Sequence, residues 1–519
     1  MFLNPHIFLS DLQLISLFFN LYLFYGPLWF IIITILFVII QFFAEKKYSI
    51  GIISPPTLTY FLSFTMLNIS VIFYSNYEYY YDFFQADTRT KLVTVLLINL
   101  FLVITGIIFV FFKKINKSWV QLIFILLLII NMTNAYTSII SINRTKMQNE
   151  IYMHSDVETT PRKIRIVIMD GLSLKFISSY TSDQNLLNFN LLLKNGVRGR
   201  IRGFKPNFNM SLINSAMTGL RPYNFQYHSD YKFRFRELSN EFDMFPKYIF
   251  FRNSSVLNST TFYKKKDNSN YIDKLSLYYS NSGKKAVKIF APKLFPHYSE
   301  KALKYNSHFI KFFSDIIAKN TGKDKKVDIL KKQFSFDDFL RNQIPELKDK
   351  EVYYSIVRLP GLGIISKLFY QYSMPNFFGD IKNEDIKKYG RIIEQYYEYY
   401  DSILGTLISS TGEDELLVIM SFFEYEPLPA WRRILVNLIS QDERESFVYS
   451  PNSMGTLLMY ERSNIKKDYN LKTISINDIF PTLLYYSGYQ LSMDLQGEVM
   501  KEIFTDEFKL NNPIEIIAE

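Results

Sequence analysis

The chain has 519 residues, a length that suggests two or three structural units. It contains no cysteine, which excludes disulfides, thiolate zinc sites and cysteine nucleophiles. The formal net charge of +10 could favour nucleic acid or anionic lipid as a partner. However, Lys, Asn, Ile, Phe and Tyr are abundant together, a skew that an AT-rich genome produces without selection for binding. We therefore expect no nucleic-acid partner, and we interpret the lysines at 264–266 as part of a solvated loop.

Nearly all the long apolar runs lie before about residue 142. A helix that crosses a bilayer needs about 20 apolar residues. The runs predict five spans, at about 8–25, 27–44, 52–74, 92–112 and 119–141, with a turn at Gly26-Pro27 between the first two. Residues 1–141 are therefore predicted to form an all-helical transmembrane domain with the lipid bilayer as its partner.

Lysines near the predicted span ends indicate an orientation. Lys46, Lys47, Lys113, Lys114 and Lys117 fall in two loops on the same side, and positive charge favours the cytoplasmic side. This places the C-terminal domain outside the cytoplasm, as part of an integral membrane protein. The spans carry no ionisable residue at membrane depth, so they are predicted to be an anchor and not a transport path.

A polar linker at 142–161 leads to a predicted α/β domain at 162–519. The apolar run from Lys163 ends in Asp170-Gly171, which indicates a buried parallel strand that carries a carboxylate to its C-terminal edge. Asp170 could be a metal or substrate contact, or a turn carboxylate that accepts backbone amide hydrogen bonds. Further buried strands are predicted at Val352–Leu359 and Glu415–Ser421. The aromatic residues from Tyr389 to Tyr400 follow helical spacing and are predicted to be core.

Three motifs carry a family resemblance. They are the segment 186–199, Thr218-Gly219-Leu220-Arg221-Pro222, and the stretch 476–497 with its Asp478-Ile479-Phe480-Pro481-Thr482 core. Together they resemble the type I phosphodiesterase/nucleotide pyrophosphatase (sulfatase-like) branch of the alkaline phosphatase superfamily, over about 162–506. The resemblance implies a three-layer α/β/α domain in which 229–350 forms a variable cap.

Active members of that superfamily hold two metal ions, usually zinc, with aspartates and histidines on either side of a Ser or Thr nucleophile. By resemblance, Asp170 matches the first metal aspartate and survives here as a vestigial ligand. The nucleophile position falls on Asn209, which has no hydroxyl group with which to attack phosphorus, and Ser211 lies two residues away. The resemblance therefore predicts that no catalytic nucleophile is present.

The remaining ligand positions of the family are also altered. One Asp/His pair falls on Gly363 and Lys367, a second pair falls on Phe422 and Phe423, and a later histidine falls near Pro451. Lys367 would repel a cation, and two phenyl rings would fill the metal cavity. All five histidines precede Val352, where the family's ligand histidines would begin; they are His6, His154, His228, His297 and His308.

The sequence thus predicts a membrane-anchored pseudoenzyme that acts as a binding or scaffold component at the cell envelope and holds no cofactor. Its expected partners are an envelope glycan, a lipid head group or a partner membrane protein, and Lys367 and Glu424 are predicted to pair across the former pocket. The alternative is a metal-dependent phosphodiesterase or phospho-head-group transferase that uses a zinc or manganese pair on envelope lipids or glycans. Its arrangement would be similar to that of lipoteichoic-acid-synthase-like and phosphoethanolamine transferases.

Overall fold

The computed structural model describes residues 9–10, 12–17, 19, 70, 74, 76–84, 86–111, 160–181, 186–224, 231–235, 238–242, 262–266, 272–289, 313, 316, 319, 324–344, 349–378, 381–427 and 454–517. The chain divides into two compact units. The first comprises Met1–Asn149 with Pro222–Asp267, and the second comprises Glu150–Arg221 with Asn268–Glu519.

The helices are α1 (Ala86–Phe111), α2 (Leu174–Thr181), α3 (Leu187–Asn195), α4 (Asn209–Thr218), α5 (Lys274–Asn281), α6 (Lys325–Gln343), α7 (Gly361–Ser373), α8 (Asn383–Tyr389), α9 (Ile392–Ser410), α10 (Ile479–Ser487) and α11 (Asp506–Asn511). The strands are β1 (Lys163–Met169), β2 (Val197–Arg202), β3 (Tyr231–Phe235), β4 (Phe262–Lys266), β5 (Lys285–Ile289), β6 (Val352–Leu359), β7 (Glu415–Ser421), β8 (Gly455–Tyr460), β9 (Tyr469–Asn470), β10 (Ile474–Ser475), β11 (Leu491–Ser492) and β12 (Ile516–Ile517). The predicted strands at Val352–Leu359 and Glu415–Ser421 are confirmed as β6 and β7.

The first unit contains α1 and the antiparallel hairpin formed by β3 and β4. Lys264, Lys265 and Lys266 belong to strand β4, so our interpretation of these lysines as a solvated loop was wrong. Three consecutive lysines carry no turn residue such as glycine or proline, and their charge alone does not distinguish a loop from a strand that has one solvated face.

The predicted fold class was wrong in its N-terminal part. Among the helices that the structure describes, none is long and apolar enough to cross a membrane. Helix α1 overlaps the predicted span at 92–112, but it begins with polar residues that include an Asp87–Lys91 ion pair, and it buries Asn99 together with Leu92 and Val95. The prediction relied on the length of the apolar run, which does not weigh polar residues at the start of a helix or within it. The spans at 27–44 and 119–141, most of those at 8–25 and 52–74, and the orientation lysines lie outside the described residues.

The second unit is built on an eight-stranded mixed sheet. Its strand order is β10-β2-β8-β7-β1-β6-β5, with β9 also paired to β2. Strands β5, β6, β1 and β7 are mutually parallel, whereas β8 is antiparallel to both of its neighbours, β7 and β2. Central β1 is buried from Ile164 onward, which explains why its sequence is an apolar run and not an alternating pattern.

Helices cover both faces of this sheet. Val167 and Met169 of β1 face a large apolar core with residues of α2, α3, α6, α7 and α9, whereas α10 contacts β1 and packs with α4, and α4 packs with α5. Tyr389 and Tyr400 are both buried in the core, as the helical spacing predicted. Residues 272–344, which fall within the predicted cap range, contribute α5, β5 and α6 to this unit.

A buried carboxylate on α9 fixes the start of α3. Asp401 Oδ1 accepts a hydrogen bond from Phe189 N (2.8 Å), and Oδ2 accepts bonds from Asn188 N (3.2 Å) and Asn188 Nδ2 (2.8 Å). The first amides of a helix have no partner within the helix, so this side chain replaces the missing acceptors from 213 residues away.

We expect Asp401→Ala to lower the free energy of unfolding by about 1–3 kcal/mol, because it leaves buried amides without acceptors. The measurement is urea denaturation of the full chain. Ser402→Ala, whose hydroxyl bonds only to the carbonyl of Tyr399 within α9, is the matched control and should change the unfolding free energy by less than about 0.5 kcal/mol. Equal losses in the two variants would contradict the role of Asp401.

Candidate functional site

Three parallel strands end together at the carboxyl edge of the sheet. Asp170 directly follows β1, and its amide donates to the carbonyl of Leu359 at the end of β6 (3.2 Å). Gly171 turns the chain with a φ of +79°, and its amide donates to Ser421 Oγ at the end of β7 (3.0 Å). Open α/β sheets place their ligands at this edge, so it is the candidate site.

The carboxylate of Asp170 binds an arginine. Arg358 donates from Nε (3.1 Å) and from Nη2 (2.6 Å), in both cases to Oδ2 of Asp170. The Arg358 side chain is 19% exposed and that of Asp170 is 7% exposed, so the ion pair is largely removed from water. The positive charge that faces Asp170 is therefore a guanidinium fixed on β6.

A side chain would be crowded at position 363, to which the resemblance assigns the family's second aspartate. A Cβ atom on Gly363 would lie 3.0 Å from the carbonyl oxygen of Asp170 and 3.1 Å from its Cβ. The contact is equally close from the other side, since a Cβ atom on Gly171 would lie 2.7 Å from Gly363 Cα. The first turn of α7 thus packs directly on the backbone that follows β1, and a carboxylate at position 363 would require the two segments to separate.

Aromatic rings follow β7 at the positions of the second Asp/His pair. Phe422 is buried, and Phe423 is half-buried and meets the ring of Tyr425 edge to face, with centroids 5.5 Å apart. Burial raises the pKa of Tyr425, and Asp170 adds to this rise. Phe422 and Phe423 supply no donor atoms that would hold a metal ion in place of a carboxylate and an imidazole.

Glu424 contacts the start of α2. Its Oε2 atom accepts a hydrogen bond from Ser173 Oγ (2.9 Å). Burial raises the pKa of the Glu424 carboxyl, and the Ser173 bond and the charge of Arg200 oppose this rise. Lys367 lies half-buried on α7, and its predicted pairing with Glu424 stays a prediction.

The nucleophile position lies at the beginning of a helix. Asn209 is the first residue of α4, and Ser211 is buried within the same helix. Pro451 and all five histidines lie outside the described residues. The structure thus places Asp170, Gly363, Phe422 and Glu424 around one strand edge.

A second carboxylate, which sequence reasoning missed, lies beneath the start of α7. Asp337 on α6 is fully buried, and it accepts hydrogen bonds from Tyr396 (2.7 Å), Tyr400 (2.9 Å) and Gln333 (3.0 Å). Burial raises the pKa of Asp337 to about 7, and the three hydrogen bonds oppose this rise. Its only sequence signal was a charged residue in an amphipathic helix, which does not distinguish a buried carboxylate from a solvated one.

The donor set at this edge does not fit a two-metal centre. Asp170 is engaged by Arg358, position 363 is a glycine, and positions 422 and 423 are phenylalanines. Within the ranges that the structure describes, no three His, Asp or Glu side chains are grouped so that they could hold a metal ion. No step of a metal-dependent reaction follows from this arrangement.

No protein-family model and no curated protein sequence matches the chain. The resemblance to the alkaline phosphatase superfamily therefore rests on the motifs and stays a prediction.

We expect Arg358→Met to lower the free energy of unfolding by about 3–5 kcal/mol, because it leaves the buried carboxylate of Asp170 without its counter-charge. The double variant Asp170→Asn/Arg358→Met removes both charges and should be more stable than Arg358→Met alone. Urea denaturation measures both. Arg391→Met, which breaks an exposed pair with Glu394, is the control and should cost less than about 1 kcal/mol. If Arg358→Met lowers the free energy of unfolding no more than Arg391→Met does, the ion pair does not have this stabilising role.

Proposed function

We propose that the second unit is a catalytically inactive, alkaline-phosphatase-like domain that acts by binding and not by phosphoryl transfer. The observation that carries this proposal is the ion pair between Asp170 and Arg358. A cation already neutralises the one carboxylate that matches the family's metal site, and this cation is part of the chain.

Electrostatics supports this proposal. Two-metal phosphoryl transfer needs a pair of cations about 3.5–4 Å apart, held by several anionic or imidazole ligands. A divalent ion at Asp170 would have to displace the Arg358 guanidinium or lie beside it, at a cost in charge repulsion within a poorly solvated site. Gly363 and Phe422 bring no negative charge that would offset that repulsion.

The nucleophile position supports the same proposal. Asn209 carries an amide, which is neither a nucleophile toward phosphorus nor a group that a neighbouring base can activate by removing a hydroxyl proton. Ser211 is buried inside α4, two residues from the position that the resemblance assigns to the nucleophile.

The alternative is a phosphodiesterase or phospho-head-group transferase that uses a zinc or manganese pair. It would need a second set of ligands on β6, β7 and the segments that follow them. The sequence from Val352 onward contains no histidine, and the described carboxylates nearest the strand edge are committed to Arg358 and Ser173. The geometry therefore favours the binding domain.

The surface that remains at this edge is suited to a binding partner. Phe423 and Tyr425 are half-buried after the end of β7, the next residue, Glu426, is exposed, and Lys367 is half-buried on α7. Aromatic rings next to charged groups combine apolar contact area with hydrogen-bonding capacity, as binding sites for polar ligands do. A glycan, a lipid head group or a partner protein would each find suitable contacts there.

We expect the purified full chain, loaded with zinc and manganese and then desalted, to retain less than one metal ion per chain and to hydrolyse no bis(4-nitrophenyl) phosphate above the blank. Metal analysis and absorbance at the nitrophenolate band measure the two quantities. Asp170→Asn is the control. Hydrolysis of equal rate in this variant and in the wild type would come from a contaminant and not from this chain. Two bound ions per chain, together with turnover that Asp170→Asn abolishes, would overturn the proposal.

A further inference from the structure

The start of α7 lies directly on the buried carboxylate of Asp337. A Cβ atom on Gly361, the first residue of α7, would overlap Oδ2 of Asp337 and would lie 2.5 Å from the hydroxyl of Tyr396. Only a glycine allows the helix backbone to approach these groups so closely. Any change in the position of the carboxylate or the phenol therefore acts on α7 without an intervening side chain.

A chain of hydrogen bonds joins the same carboxylate to the backbone of α7. The amide of Leu362 donates to the hydroxyl of Tyr400 (3.2 Å), and that hydroxyl donates to Oδ2 of Asp337 (2.9 Å). Tyr396 donates to the same oxygen (2.7 Å), and Gln333 donates to Oδ1 (3.0 Å). We call Asp337, Gln333, Tyr396 and Tyr400 the Asp337 cluster.

The two protonation states of Asp337 cannot share one hydrogen-bond pattern. An ionised carboxylate only accepts, so it can take all three bonds described above. A protonated carboxyl must donate one proton, and the neighbouring acceptors are the phenol oxygens of Tyr396 and Tyr400 and the amide oxygen of Gln333. If Tyr396 or Gln333 accepts this proton, the bridge from Tyr400 to Leu362 N stays in place, whereas the ionised form leaves a buried charge without a cation against the first residue of α7.

Several titratable or charged groups surround the cluster. On α9 they are Tyr396, Tyr399 and Tyr400. Burial raises the pKa of each phenol, and the neighbouring carboxylates of Asp337 and Asp338 add to this rise.

The other elements contribute carboxylates and arginines. On α6 Asp338 pairs with Arg341, and at the end of β1 Asp170, paired with Arg358, acts on Asp337 and adds to the rise in its pKa. The direct hydrogen-bond donors to Asp337 are neutral, so its ionised form has no cation in contact with it among the described residues.

We propose that the Asp337 cluster is a proton-responsive contact that controls how firmly the start of α7 is held against the end of β1. Gly363 of α7 touches the backbone of Asp170, so loosening of this turn reaches the candidate site directly. This role of the Asp337 cluster does not depend on whether the second unit is inactive, because it concerns the packing of α7 and not a reaction.

The direction of the effect follows from linkage. The pKa of Asp337 in the fold is about 7, above the ordinary value of 3.8. A group with a raised pKa contributes stability that is complete below its ordinary pKa and is lost as pH rises through the value in the fold. The start of α7 should therefore be held most firmly in acid and should loosen from about pH 6 upward.

Hydrogen–deuterium exchange of the full chain tests this inference. We expect protection of the peptide that covers 359–364 to fall about tenfold between pH 6 and pH 8, after correction for the intrinsic exchange rate, since a group with a pKa near 7 is ionised over that interval. In Asp337→Asn, which mimics the protonated carboxyl, the corrected protection should be independent of pH. Asp338→Asn, one residue away, should keep the fall.

Two outcomes would overturn the proposal. The first is a wild-type chain whose corrected protection at 359–364 does not change between pH 6 and pH 8, a result that requires no variant to fold. The second is a fall of equal size in wild type and in Asp337→Asn. Tyr400→Phe, which keeps the ring but removes the bridge to Leu362, should lower protection at pH 6 to near the wild-type value at pH 8; unchanged protection at pH 6 would also contradict the mechanism.

Discussion

The contact between the end of β1 and the start of α7 is the constraint on which the candidate site depends. Gly171 and Gly363 bring the two backbones within van der Waals distance, and the Arg358 guanidinium holds Asp170 at the same point. Because a side chain at position 363 would press against the main chain of Asp170, the packing limits the chemistry of this edge. The backbone at Gly171 and Gly363, the aromatic side chains after β7 and the Asp170–Arg358 ion pair together occupy this edge of the sheet.

The sequence predicted those parts of the fold that depend on local patterns. Strands β6 and β7 were correct to the residue, because a strand buried on both faces must be continuously apolar and ends where polar or turn residues begin. The same pattern misled us in the N-terminal region, where the length of the apolar runs did not weigh the polar start of α1 or its buried Asn99. The length of an apolar run therefore indicates whether it forms a strand or a helix better than it indicates whether that element lies in a protein or in a bilayer.

The candidate site could be predicted only in part. Asp170 follows from a local strand–turn motif, and positions 363, 422 and 423 were singled out by the family resemblance. The partner of Asp170 could not be predicted, since Arg358 lies 188 residues away within a strand whose other residues, apart from Ser355, are aliphatic or aromatic. Asp337 was missed for the same reason, because two of its three hydrogen-bond donors, Tyr396 and Tyr400, come from another helix. Such contacts depend on tertiary packing, which single-sequence patterns do not contain.

The glycine at position 363 also determines how the domain could change. A carboxylate added at position 363 would meet the main chain of Asp170 before any ion could stabilise it, because its Cβ atom would lie 3.0 Å from the Asp170 carbonyl oxygen. The neighbouring backbone would have to give way by a few tenths of an ångström first, with no coordination bond yet formed to offset the lost packing. The first obstacle to a metal site at this edge is therefore steric, and it precedes any question of ligand chemistry.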